Sequence, residues 1–207
     1  MSTRAFFDDA AKVAVRQAIQ KVESQTSAEL VVTVRSQAGS SYQDADFGFG
    51  AIVALISLAL ILFVDKEFAL TWIPVDIAVA FAAGALLCRN VHTLRRLLSP
   101  SSRREDETHR AACAAFQELG VGRCSGRNGI LVLVGLFEHK VAIVGDTAVD
   151  PFLIAPAAER IKAAVDRPIP DFKAFVEALE SLGPILGAAM PRQADDVNEL
   201  PDDLGYA

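Results

Sequence analysis

"FGFGAIVALISLALILFV", Phe47 to Val64, runs 18 residues without a charge, and its reading decides how the rest of the chain folds. As a helix it reaches about 27 Å, enough to cross the hydrocarbon core of a bilayer. Asp65, Lys66 and Glu67 interrupt it, and "FALTWIPVDIAVAFAAGALLC", Phe68 to Cys88, adds 21 largely apolar residues. Two such runs joined by a short polar turn predict a transmembrane helical hairpin over 47–88. The alternative, two buried helices of a soluble core, asks a 207-residue chain to bury more apolar helix than so small a core accommodates.

Composition points the same way. Apolar residues make up 52% of the chain and charged ones 22%, with a mean hydropathy of +0.31, a pairing that suggests an ordinary globular part joined to a lipid-soluble one. A net charge of −6 argues against broad nucleic-acid binding, which needs a basic footprint. The three cysteines, Cys88, Cys113 and Cys124, form no CxxC pair and suit a reducing compartment.

Arginine sets the expected orientation. Arg89, Arg95, Arg96, Arg103 and Arg104 follow the second run closely, against Arg35 before the first and Lys66 in the turn. The basic flank is expected in the cytoplasm, and a hairpin returns the chain to its starting side, so both termini are expected there. Asp76 is expected near the middle of the second span, two residues after Pro74. An ionised carboxylate there costs roughly 2.5–3.5 kcal/mol. It reads either as a tolerated protonated side chain or as a point of self-association.

Outside the hairpin the chain reads as an α/β domain cut in two. Residues 1–46 hold an amphipathic helix of about Asp8 to Ser24, with Phe7, Ala11, Val15, Ile19 and Val22 at helical spacing. A β-rich run, Leu30 to Val34, and a polar linker, Ser36 to Asp46, complete this part. Residues 89–192 hold "RREDETHRAACAAFQELG", a helix with an apolar stripe through Ala111, Ala112, Ala115, Phe116 and Leu119. The continuous apolar run "GILVLVGL" predicts a buried strand. A turn at Phe137 to Lys140 and a partner strand, "VAIVG", follow. Helices are expected over about Ala157 to Asp166 and Phe172 to Met190, the latter capped by Asp171 and broken after Gly183 by Pro184. Residues 193–207, with Asp195, Asp196, Glu199, Asp202 and Asp203, read as a solvated acidic tail. Leu30–Val34 is expected to pair in parallel with Ile130–Gly135, the hairpin being an insertion in that strand–helix–strand crossover.

The glycine-rich "GVGRCSGRNG", Gly120 to Gly129, invites a phosphate-cradle reading. Such a cradle follows a strand and opens a helix, so that helix amides point at the anion. Here the loop follows a helix and enters a strand, so Gly120 or Gly122 is read as a left-handed helix cap. His109 and Cys113, four apart on one helix face, and Cys124 read either as packing residues or as zinc ligands. Asp146 and Asp150 in "GDTAVD", with Asp171 at a helix start, read either as solvated and capping residues or as ligands for Ca²⁺ or Mg²⁺. In the latter case a bound cation serves phosphoester hydrolysis, with Arg123 and Arg127 adding anion affinity.

"TSAELVVTV" (Thr26 to Val34), "NGILVLVGLFEHKVAIVGD" (Asn128 to Asp146), the helical run from "IPDFKAFVEAL" and the end "MPRQADDVNELPDD" resemble the TPM-domain family, the last being similar to its bacterial membrane-embedded branch. The resemblance implies a small α/β sandwich, tethered to membranes and associated with assembly, repair or modulation of membrane protein complexes. It also implies an acid phosphatase activity attributed to plant members, which attaches to no residue pattern here. The expectation is a non-catalytic interaction, assembly or quality-control module in the bacterial inner membrane. Its expected partners are the lipid bilayer and a membrane protein or a second copy, with no nucleic acid and no cofactor. The alternative is a cation-assisted phosphatase using the loop aspartates.

Overall fold

The computed structural model describes residues 8–39, 42–63, 71–193, 199–200 and 205–206. Phe7, the polar turn at Asp65, Lys66 and Glu67, the adjoining Val64 and Phe68, and the tail acids Asp195, Asp196, Asp202 and Asp203 lie outside them. By contact the chain divides into two units, Met1–Ala38 with Arg104–Ala207, and Gly39–Arg103.

The first unit is built on strands β1 (Glu29–Arg35), β2 (Gly129–Gly135), β3 (Lys140–Gly145) and β4 (Gly205–Tyr206), in the order β3-β2-β1-β4. β1 and β2 pair in parallel, Leu30 opposite Ile130 and Val34 opposite Val134. β3 runs antiparallel on the other side of β2, Val141 opposite Val134. The apolar runs are continuous because both faces of the sheet are covered. Leu30, Val32, Val34, Ile130, Val132 and Val134 face α1 (Asp9–Glu23), α6 (Pro151–Val165), α7 (Phe172–Glu180) and α8 (Leu182–Ala189). Val31, Leu131 and Leu133 face Ala112, Ala115 and Phe116 of α5 (Ser101–Glu118). The result is a mixed α/β sandwich with helices on both sides of one sheet, and each fully buried Val, Leu or Ile contributes about 1.5–3 kcal/mol.

Three expectations for this unit are corrected. α6 begins at Pro151, not near Ala157. Pro151 occupies the first turn, where its missing N–H is harmless, and the helix runs through Pro156. The break between the last two helices falls at Ser181 rather than after Gly183. A proline is tolerated in a first turn, so the new helix starts early enough for Pro184 to lie there. The tail is not wholly a solvated extension, because Gly205 and Tyr206 pair in parallel with Thr33 and Val34 on the edge of β1.

The second unit holds α2 (Gln43–Phe63), α3 (Ile73–Asn90) and α4 (His92–Leu98). α2 and α3 are long and apolar enough to cross a membrane, and only 17% and 11% of their apolar windows are buried in the protein. Glycine lets them approach: a Cβ on Gly50 would sit 2.8 Å from the Phe81 carbonyl oxygen, and one on Gly84 would sit 2.9 Å from Val53 Cβ. Phe47 and Phe81 stack across the same contact, 6.1 Å between ring centroids. Elsewhere the helices turn Leu55, Leu60, Leu62, Phe63 and Val79 outward. α3 starts at Ile73 with Pro74 in its first turn, so Asp76 stands in that first turn and is exposed, instead of near mid-span. There the helix dipole favours a carboxylate.

Candidate functional site

Strand register brings several polar groups to one end of the sheet. Gly145, the last residue of β3, lies opposite Ile130, so Asp146 emerges beside the starts of β1 and β2, where Glu29 lies opposite Gly129. The loop from α5 folds over this end. Gly120 is left-handed (φ 69°) and ends the helix, as its position in the sequence suggests, before a 3-10 turn over Val121–Arg123. No amide cradle is formed for a phosphate by a following helix, because β2 comes next.

Asp146 is almost fully buried. Its Oδ1 accepts a hydrogen bond from the Thr147 amide at 2.7 Å. Its Oδ2 is buried and has no hydrogen-bond partner; the Arg127 guanidinium lies 3.8 Å away. Arg127 itself adopts a left-handed backbone (φ 52°), unusual for a side chain of this size. Its Nη1 donates to the Gly122 carbonyl at 2.9 Å.

Asp150 and Asp171 have other duties. Asp150 caps α6, accepting from the Phe152 amide at 2.9 Å, and Asp171 caps α7, accepting from the Ala174 amide at 3.1 Å. Asp171 stands 3.9 Å from Arg167, whose neighbour Asp166 pairs with Lys140 at the start of β3 at 2.5 Å. Asp146 follows the far end of that strand. The three aspartates are therefore not brought together, and among the described residues no group of three His, Cys, Asp or Glu side chains is placed to hold a metal ion.

His109 Nε2 and Cys113 Sγ meet at 3.7 Å on α5, as their spacing implies. Cys113 is exposed and Cys124 is buried. Burial first, then the nearby carboxylates of Glu29 and Glu199, push the Cys124 thiol up to about 11. It is a neutral packing group at neutral pH, not a nucleophile. Glu199 accepts from the Ser125 amide at 2.9 Å and from its hydroxyl at 2.5 Å, and these bonds hold its carboxyl below the usual range.

Buried Glu29, Glu138 and Asp46 escaped the sequence reading. Glu138, in the β2–β3 turn, is fully buried and both its carboxylate oxygens accept from the Ala38 amide at 3.0 Å. Asp46, at the start of α2, accepts from Arg95 Nη2 at 3.0 Å; Tyr42 lies against the same guanidinium, 5.6 Å from ring centroid to Cζ. Asp44 pairs with Arg103 at 2.5 Å. These partners are separated by 49 and 59 positions, and nothing local in the sequence marks them as neighbours.

No family model matches this chain, and no curated protein matches it. A solved structure with a similar fold is the NMR structure of BA42 protein from the psychrophilic bacterium Bizionia argentinensis. It is 16% identical, with a TM-score of 0.55, and the alignment covers 95% of this chain and 92% of that one. At that identity the likeness speaks for the fold alone.

Proposed function

We propose that the chain is a membrane-anchored, TPM-like α/β domain acting on the cytoplasmic side of a bacterial inner membrane as a non-catalytic interaction or assembly module for membrane proteins. The observation that carries this reading is the outward apolar surface of α2 and α3, with Leu62 65% and Phe63 87% exposed. Side chains of this size have no reason to stand in water along two whole helices, whereas hydrocarbon accepts them. The arginines after α3 support the orientation. The parallel strand pair β1–β2 supports the TPM-like reading by agreeing with the small α/β sandwich that the resemblance implies.

Alkaline carbonate washing of vesicles tests the anchor: the intact chain is expected to stay with the membrane, and its release ends this reading. A reporter fused after Ala207 is expected on the cytoplasmic side. Extraction in mild detergent followed by affinity capture is expected to recover a membrane protein partner.

A second reading is favoured by the buried Asp146 Oδ2 that lacks a hydrogen bond. A divalent cation there would supply the missing partner and serve phosphoester hydrolysis. Cation-dependent hydrolysis of a generic phosphoester, lost in Asp146→Asn with folding retained, would replace the interaction module with an enzyme.

A further inference from the structure

We infer that α4 is an interfacial helix that docks on anionic phospholipid headgroups at the base of the hairpin. The inference rests on the anchored reading above and adds a specific lipid class to it. Around the turns of α4, Leu94, Leu97 and Leu98 fall on one side, while His92, Arg95 and Arg96 fall on the other. None of the residues of α4 is buried, and Leu97 is 82% exposed while Leu94 is half-buried, so most of the apolar side lacks cover among the described residues.

Depth is set by two ion pairs. Arg95 reaches Asp46 at 3.0 Å and Arg103 reaches Asp44 at 2.5 Å, and both acids belong to the first turns of α2, immediately before its apolar run begins at Phe47. Val91, with φ −100° and ψ 88°, is not helical and separates α4 from α3. The helix is thus held where hydrocarbon gives way to headgroups, the level at which an amphipathic helix finds both its solvents.

Charge selects the lipid. Between Ile77 and Arg104 the chain carries five arginines and no acidic residue. Exposed Arg89 and half-exposed Arg96 flank the apolar stripe. Guanidinium pairs well with phosphate, and each basic residue near an anionic surface shifts the docked population by roughly fivefold.

The test uses the full chain with Cys113→Ser, labelled with an environment-sensitive fluorophore at Leu97→Cys or, separately, at His92→Cys on the opposite side of the helix. Each is reconstituted into vesicles of phosphatidylcholine alone or mixed equally with phosphatidylglycerol, with brominated acyl chains as quencher. Position 97 is expected to be quenched more than position 92, and more strongly with phosphatidylglycerol. Salt, or Arg89→Gln with Arg96→Gln, is expected to remove that increment. Equal quenching at the two positions, or indifference to phosphatidylglycerol, overturns the inference. So does shielding of position 97 from the lipid by a co-purifying protein, which would assign the face to that protein. Carbonate washing of the same vesicles separates the failures: a released chain sinks the anchor, whereas a retained chain with an unquenched label sinks only the lipid-docking helix.

Discussion

Asp46 and Arg95 form an ion pair whose side chains are 8% and 11% exposed, and Asp46 Oδ1 is buried without a hydrogen bond. Removing one partner of such a pair strands the other charge and costs about 3–5 kcal/mol, whereas the pair as a whole contributes little net stability. Asp46→Asn and Arg95→Gln are each expected to lower the unfolding midpoint in detergent markedly, with the double variant less affected than the sum. Additive losses in that double-mutant cycle would deny the coupling. Cys124 gives a second outcome at this scale. Its thiol stays protonated to about pH 11, against 9.0 when unfolded. Between those values the unfolded chain loses a proton that the folded chain keeps, so stability falls as pH rises through that window. Below it the thiol contributes no pH dependence. Maleimide at neutral pH is expected to label exposed Cys113 and to spare Cys124 until the chain unfolds; equal rates would contradict its burial. Of the site residues, the capping duty of Asp171 was legible, since an aspartate before an apolar-periodic run has a local cause. The orphaned oxygen of Asp146 was not, because it depends on strand register and on an arginine held in a left-handed turn.

Among elements, the α2–α3 crossing carries a sharp expectation. Gly84→Leu would drive a side chain into Val53, where even a Cβ would sit at 2.9 Å. Overpacking of this kind costs about 1–3 kcal/mol, and the variant is expected to lose thermal stability in detergent while Gly48→Leu, with open space around it, does not. The Glu199 contact behaves differently. Its carboxyl titrates below the usual 4.5 because Ser125 holds the charged form. The contact therefore contributes above that value and is lost as pH falls through the lower, folded one. A lower protection factor at the Ser125 amide, taken relative to its intrinsic exchange rate at each pH, is expected on acidification; unchanged protection would remove the link. Elements dominated by a strong local pattern were read well, such as β2, whose apolar run is bounded by glycines. α4 escaped because seven residues are too few for periodicity to stand out beside an apolar span. The first turns of α6 were hidden by two prolines that suggest a loop until one sees that the first of them opens the helix.

For the whole molecule, the first unit is assembled from segments on either side of Gly39–Arg103. Both ends of that interruption meet Glu138: its carboxylate accepts from the Ala38 amide at 3.0 Å, and its carbonyl accepts from Arg104 Nη1 at 2.7 Å. A short glycine–serine linker replacing 39–103 spans such a gap without strain. The shortened chain is expected to be soluble without detergent and to keep slow hydrogen exchange in β1 and β2. Aggregation, or rapid exchange in those strands, would mean that the sandwich needs the helices to fold.

What the amino-acid order determined by itself was everything with a short-range cause. Two long apolar runs made long helices, strands apolar on both faces made a buried parallel pair, and Gly120 ended a helix that no other residue ends so cheaply. What the tertiary structure alone decided was long-range company: Asp46 with Arg95, Glu138 with Ala38, Gly205 and Tyr206 on the edge of β1, and Asp171 kept away from Asp146. Periodicity reports which face of an element avoids water, but it is blind to which distant element covers that face, because register and packing arise only once the sheet has closed.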